Sequence, residues 1–161
     1  MRYAVRTLLS PRFHLLTAVF VLAGVLIAEK AYGLPPCAMC YWQRVPYAAI
    51  AMFSLASLRV GSLRQAAAFF YPLLYTASAG LALYHTGVER KWWQGISACA
   101  SVATPHSLDA LRDQIVNAPA VRCDEIAWQF AGMSMANLNL LWSASLALAG
   151  FCFLAGRISP K

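Results

Sequence analysis

Four long apolar runs decide what this chain can fold into. They lie at about 13–29 (FHLLTAVFVLAGVLIAE), 43–60 (QRVPYAAIAMFSLASLRV), 66–86 (AAAFFYPLLYTASAGLALYHT) and 133–156 (MSMANLNLLWSASLALAGFCFLAG). Each approaches the roughly 20 residues that cross about 30 Å of hydrocarbon. In so dry a solvent the backbone must satisfy its own hydrogen bonds, so each run predicts a helix. The second is the weakest, being short and carrying Gln43 and Arg44 at one end. Composition agrees: among 161 residues, 60% are hydrophobic and only 12% charged, about half the charge of a soluble domain. The fold expected is an all-α membrane protein, a single domain built as a bundle of four transmembrane helices. A short loop (about 30–42) and a long loop (about 87–132) lie on one side.

The sides follow from where the charges fall. Four crossings put both termini with the 61–65 linker, and that side holds Arg2, Arg6, Arg12, Arg59, Arg64, Arg157 and Lys161 without one acid. Every acid, Glu29, Glu89, Asp109, Asp113, Asp124 and Glu125, falls on the other side. Lys and Arg mark cytoplasmic ends, so both termini are expected in the cytoplasm and both loops outside. The net charge of +7 is then a property of the cytoplasmic face rather than a nucleic-acid patch. The first run lacks a good cleavage site at Ala28-Glu29-Lys30-Ala31 and three further runs follow, so it reads as an uncleaved helix rather than a signal peptide. In the long loop, SLDALRDQIVN (107–117) spaces Leu108, Leu111, Ile115 and Val116 as a short amphipathic helix does, with Ser107 placed as an N-cap. Trp92 and Trp93 suit the membrane interface.

Four of the five cysteines fall outside: Cys37 and Cys40 in the short loop, Cys99 and Cys123 in the long one. Disulfides persist there, and four cysteines allow three pairings. A C-x-x-C ring is too small to constrain the unfolded chain much, whereas its thiols are often acidified for exchange chemistry. A zinc site is disfavoured, because the second pair is distant and His106 is the sole other ligand in view. Arg44 sits one helical turn beyond Cys40, where a guanidinium at the membrane edge is costly unless it is used. It could hold a Cys40 thiolate or the carbonyl of a lipid-soluble acceptor. Cys152, deep in the fourth run, is expected to be a buried, inert thiol. His14 has no evident partner. Asn137 and Asn139 are expected to bond between helices, and Ser78 and Gly80 to let helices approach closely.

PCAMCYWQR, YHTGVERKWWQGISAC and CDEIAWQFAGMSMANLNLL, in that order, resemble the disulfide bond formation protein B (DsbB) family over essentially the whole chain. The resemblance implies an inner-membrane thiol oxidoreductase that reoxidises a periplasmic DsbA-like thioredoxin-fold partner and passes the electrons to ubiquinone or menaquinone. It implies that Cys99 receives the partner's thiolate, that Cys123 is released and exchanges with Cys37, and that Cys40 is left as the thiolate facing the quinone. Arg44 matches the arginine that supports quinone and thiolate, and His85 lies near the quinone. Rival readings are a relative serving a dedicated partner, a vitamin K epoxide reductase type, in which the C-x-x-C lies late in the chain, and a disulfide-stapled scaffold without catalysis.

Overall fold

The computed structural model describes residues 10–95, 107–109, 112 and 121–158. Four long helices stand among them: α1 Pro11–Ala31, α2 Ala38–Arg59, α3 Leu63–Glu89 and α4 Met135–Ile158. The principal packing is sequential, α1 on α2, α2 on α3 and, most extensively, α3 on α4. Pro11 starts α1 at its first helical position, where the missing N–H costs nothing. α2 begins at Ala38, about five residues earlier than its apolar run suggests, because Cys37 caps it: the Cys37 sulfur accepts the Cys40 backbone N–H at 3.3 Å. Cys40, Gln43 and Arg44 thereby become helical residues of one face and its flank.

The surface is apolar and part of the interior is polar. Phe20 and Leu148 are 75% and 65% exposed, while Ser54, Ser57, Ser78 and Ser143 are fully buried. That inversion suits a chain whose solvent is lipid. α1, α3 and α4 through Gly156 are long and apolar enough to cross a membrane, and the chain is a membrane protein.

One end of the interior is an aromatic cluster in which Tyr47, Ile50, Tyr71 and Tyr75 are buried. His14 belongs to it, contrary to expectation: its Nδ1 lies 3.2 Å from the Tyr75 hydroxyl and its ring stacks on Tyr71 at 3.9 Å. α3 and α4 approach closely at Gly150, where a Cβ would lie 2.6 Å from Pro72 Cγ. Gly80 has open space around it and does not serve the close approach expected of it; Ser78 does, bonding Ser143 at 3.0 Å. Cys152 is exposed, not buried, because it lies on the outer face of α4.

α3 ends in a Schellman turn: Trp92 N–H bonds the Gly87 carbonyl at 2.8 Å and Lys91 N–H bonds that of Val88 at 3.0 Å. Lys91 takes the left-handed φ of 58° that glycine normally fills. Trp93 folds back over Gly87, donating to the Tyr84 carbonyl and stacking on the Tyr84 ring. Ahead of α4, β1 (Gln129–Phe130) pairs antiparallel with β2 (Met133–Ser134) across a two-residue turn in which Ala131 and Gly132 both have positive φ. Cys99, His106 and all of the amphipathic helix expected at 107–117 except residues 107–109 and 112 lie outside the described residues.

Candidate redox site

The N-terminus of α2 and the C-terminus of α3 meet at one end of the bundle and bring the dithiol to an imidazole. Cys37 and Cys40 are not disulfide-bonded, and their sulfurs lie 3.0 Å apart. His85 Nε2 is 3.6 Å from Cys37 Sγ. The Cys40 thiol, hydrogen-bonded to the Cys37 sulfur, does most to pull the Cys37 thiol down to about 4; the His85 ring and the Cys40 N–H add to this against the opposing effect of burial. A sulfur at a helix N-terminus with two donors is a typical stabilised thiolate.

Cys123 is fully buried and disulfide-bonded. It shares one buried cluster with Cys37, Met39 and Val88, so a sulfur of the long loop is packed into the same small region as the C-x-x-C. Beside it, Asp124 is held below the usual carboxylate range by Arg122, which donates to it at 3.0 and 2.7 Å.

Arg44 extends from the same helix, one turn past Cys40. Its terminal nitrogen donates to Glu29 of α1 at 3.0 Å, and its guanidinium lies 4.7 Å from the Tyr41 ring centroid. Its Nε is buried with no hydrogen-bond partner among the described residues. A cavity of about 640 Å³ opens onto these groups, within the range of roughly 300–1,000 Å³ for small-molecule sites. Phe20 and Val25 of α1 and Leu138 and Trp142 of α4 supply apolar walls, and Cys40, Arg44 and His85 line it too.

The family model for disulfide bond formation protein DsbB matches residues 10–153. The chain belongs to the DsbB family. A disulfide bond formation protein B of Xanthomonas euvesicatoria is 29% identical over 144 residues, covering 81% of this chain and 83% of that protein. One from Xylella fastidiosa is 28% identical over 151 residues, 87% and 86% respectively. One from Marinobacter nauticus is 27% identical over 149 residues, 88% of each.

Of the residues that the DsbB resemblance singled out, Cys37, Cys40 and His85 converge, Arg44 lines the same cavity, and Cys123 packs nearby. Three neighbours escaped the sequence reading. Glu29 pairs with Arg44. Gln43 places its Nε2 2.6 Å from His85 Nδ1 and accepts at Oε1 from Asn139 Nδ2. Glu89, whose side chain is 6% exposed, lies 3.8 Å from His85 Nε2 and accepts from Ser134 Oγ. The only advance signal was spacing: Glu89 falls one turn beyond His85.

Proposed function

We propose that this DsbB-family chain is a protein-dithiol:quinone oxidoreductase of the bacterial inner membrane. α2 completes a four-span bundle with both termini in the cytoplasm and the cysteine-bearing loops in the periplasm. The observation that carries the proposal is a C-x-x-C dithiol on the wall of an apolar cavity also lined by a half-buried arginine whose buried Nε has no partner among the described residues.

A periplasmic DsbA-like protein presents its dithiol to a Cys99–Cys123 disulfide. Its thiolate bonds Cys99 and releases Cys123 as thiolate; its second thiolate then displaces Cys99, and the partner leaves oxidised. Cys123 attacks Cys37 in a Cys37–Cys40 disulfide and releases Cys40; attack by Cys99 on Cys123 restores the first disulfide and leaves the Cys37–Cys40 dithiol. Each exchange makes one S–S bond and breaks one, so the electron pair moves inward without loss. Ubiquinone or menaquinone, bound in the cavity, supplies the two-electron sink. The chain's part is to exclude water with α1 and α4 side chains, to offer Arg44 Nε–H to a carbonyl, and to keep the dithiol ionised. Charge in the free dithiol favours Cys37; while Cys37 is bonded to Cys123, the thiolate is necessarily Cys40. The two assignments belong to different states.

The test is quinone reduction by purified protein with a reduced DsbA-type donor. Turnover that vanishes in Cys40→Ser and shows a raised quinone KM in Arg44→Ala is expected. Absence of turnover with every donor and several quinones, with the disulfides intact, would leave a stapled membrane scaffold.

A further inference from the structure

We propose that Gln43 fixes the tautomer of His85, holding the ring proton on Nε2 so that it is donated toward the Cys37 sulfur. A carboxamide has one accepting end and one donating end. The accepting end of Gln43 is taken by Asn139 Nδ2. Asn139 turns its own oxygen toward hydroxyls, receiving that of Tyr47 at 2.7 Å and lying 3.0 Å from Ser143 Oγ. The end of Gln43 that faces His85 Nδ1 at 2.6 Å is therefore NH2, a pure donor. With the amides so oriented Nδ1 is the bare nitrogen, and a neutral imidazole then carries its hydrogen on Nε2.

Nε2 looks out between two acceptors, Cys37 Sγ at 3.6 Å and Glu89 Oε1 at 3.8 Å. Little of this relay is exposed: Tyr47 is 1%, His85 4% and Gln43 9% exposed. The polarity has a second effect. Cys37, Cys40 and His85 hold their donor atoms within 4.8 Å of one another, a spacing that would suit a soft cation. A protonated Nε2 has no lone pair to give one, so the dithiol is kept for exchange. Gln43 acts through His85 and is a positioning residue.

A donor held against the thiolate favours the dithiol over the disulfide and makes the Cys37–Cys40 pair a stronger oxidant. That consequence rests on the reading of this pair as the active dithiol; the tautomer itself does not. The experiment is ¹⁵N NMR of the full, reduced, histidine-labelled chain in detergent at a pH where imidazole is neutral, with His85 assigned by its loss in His85→Gln. The protonated nitrogen is expected to be Nε2 in the wild type and both nitrogens in Gln43→Leu. In parallel, the Cys37–Cys40 equilibrium with glutathione, read by mass spectrometry of the alkylated peptides, is expected to move about tenfold toward disulfide in Gln43→Leu, about 30 mV. A wild-type Nδ1–H overturns the proposal, as does a Gln43→Leu protein unchanged in both readouts; an unmoved equilibrium alone overturns the effect on sulfur. Should Gln43→Leu fail to fold, the wild-type spectrum still decides. Loss of the tautomer with quinone turnover intact would sink this inference alone, and the reverse would sink only the proposed function.

Discussion

The acidified Cys37 is open to direct measurement by alkylating the reduced chain with iodoacetamide across pH and reading Cys37 by mass. An ordinary thiol at 9.0 would be about 0.1% thiolate at pH 6, whereas a thiol at about 4 would be about 99% ionised. The absolute rate is a poor guide, because nucleophilicity falls with basicity: a Brønsted slope of about 0.4–0.5 over five units removes on the order of 100-fold or more. The shape of the profile decides instead. Cys37 is expected to react at a nearly constant rate from pH 6 to 9, while an ordinary thiol would accelerate by roughly 500-fold. The order of causes predicts the variants. Cys40→Ala, which removes the largest contribution, should restore more slope than His85→Ala. The sign also fixes stability. A pKa lowered on folding contributes most above the ordinary thiol value of 9.0, and the contribution is lost as pH falls toward about 4. Reduced protein should lose stability over that window relative to Cys37→Ser. A Cys37 rate that climbs about tenfold per unit between pH 6 and 8 would refute the argument.

Gly150→Ala should destabilise the bundle by about 1–3 kcal/mol, since its methyl would sit 2.6 Å from a rigid proline ring; Gly80→Ala, with open space, should match or slightly exceed wild type in the same detergent melt. Arg44→Lys keeps a charge for Glu29 but has no equivalent of the buried Nε–H, so quinone KM should rise about tenfold with the Glu29 pairing retained; an unchanged KM would remove Arg44 Nε from acceptor binding.

The helices were legible because a membrane imposes length and apolarity on every span, and the C-x-x-C with Arg44 was legible because its spacing is local. What escaped is non-local. Gln43 and Asn139 are 96 residues apart in sequence, and nothing in either neighbourhood announces the other. The apolar run starts later than α2 because apolarity marks where lipid begins, whereas the helix begins where Cys37 caps it. Cys152 was placed inside because burial in lipid and burial in protein look alike in a hydropathy profile. The 129–134 hairpin has Ala-Gly at its turn, a weaker signal than Asn-Gly. Glu29 closes the first apolar run, and only the packing of α1 on α2 shows it as the counterion of Arg44.

The cavity has an experimental consequence of its own. Its apolar walls come from α1 and α4, at the two ends of the sequential packing order, and both are helices apolar enough to lie against hydrocarbon. A water-insoluble occupant dissolved in the same bilayer reaches such a site by lateral diffusion in two dimensions. Its effective concentration is a mole fraction in lipid, so diluting proteoliposomes with buffer should leave saturation unchanged, while diluting the membrane with inert phospholipid should lower it.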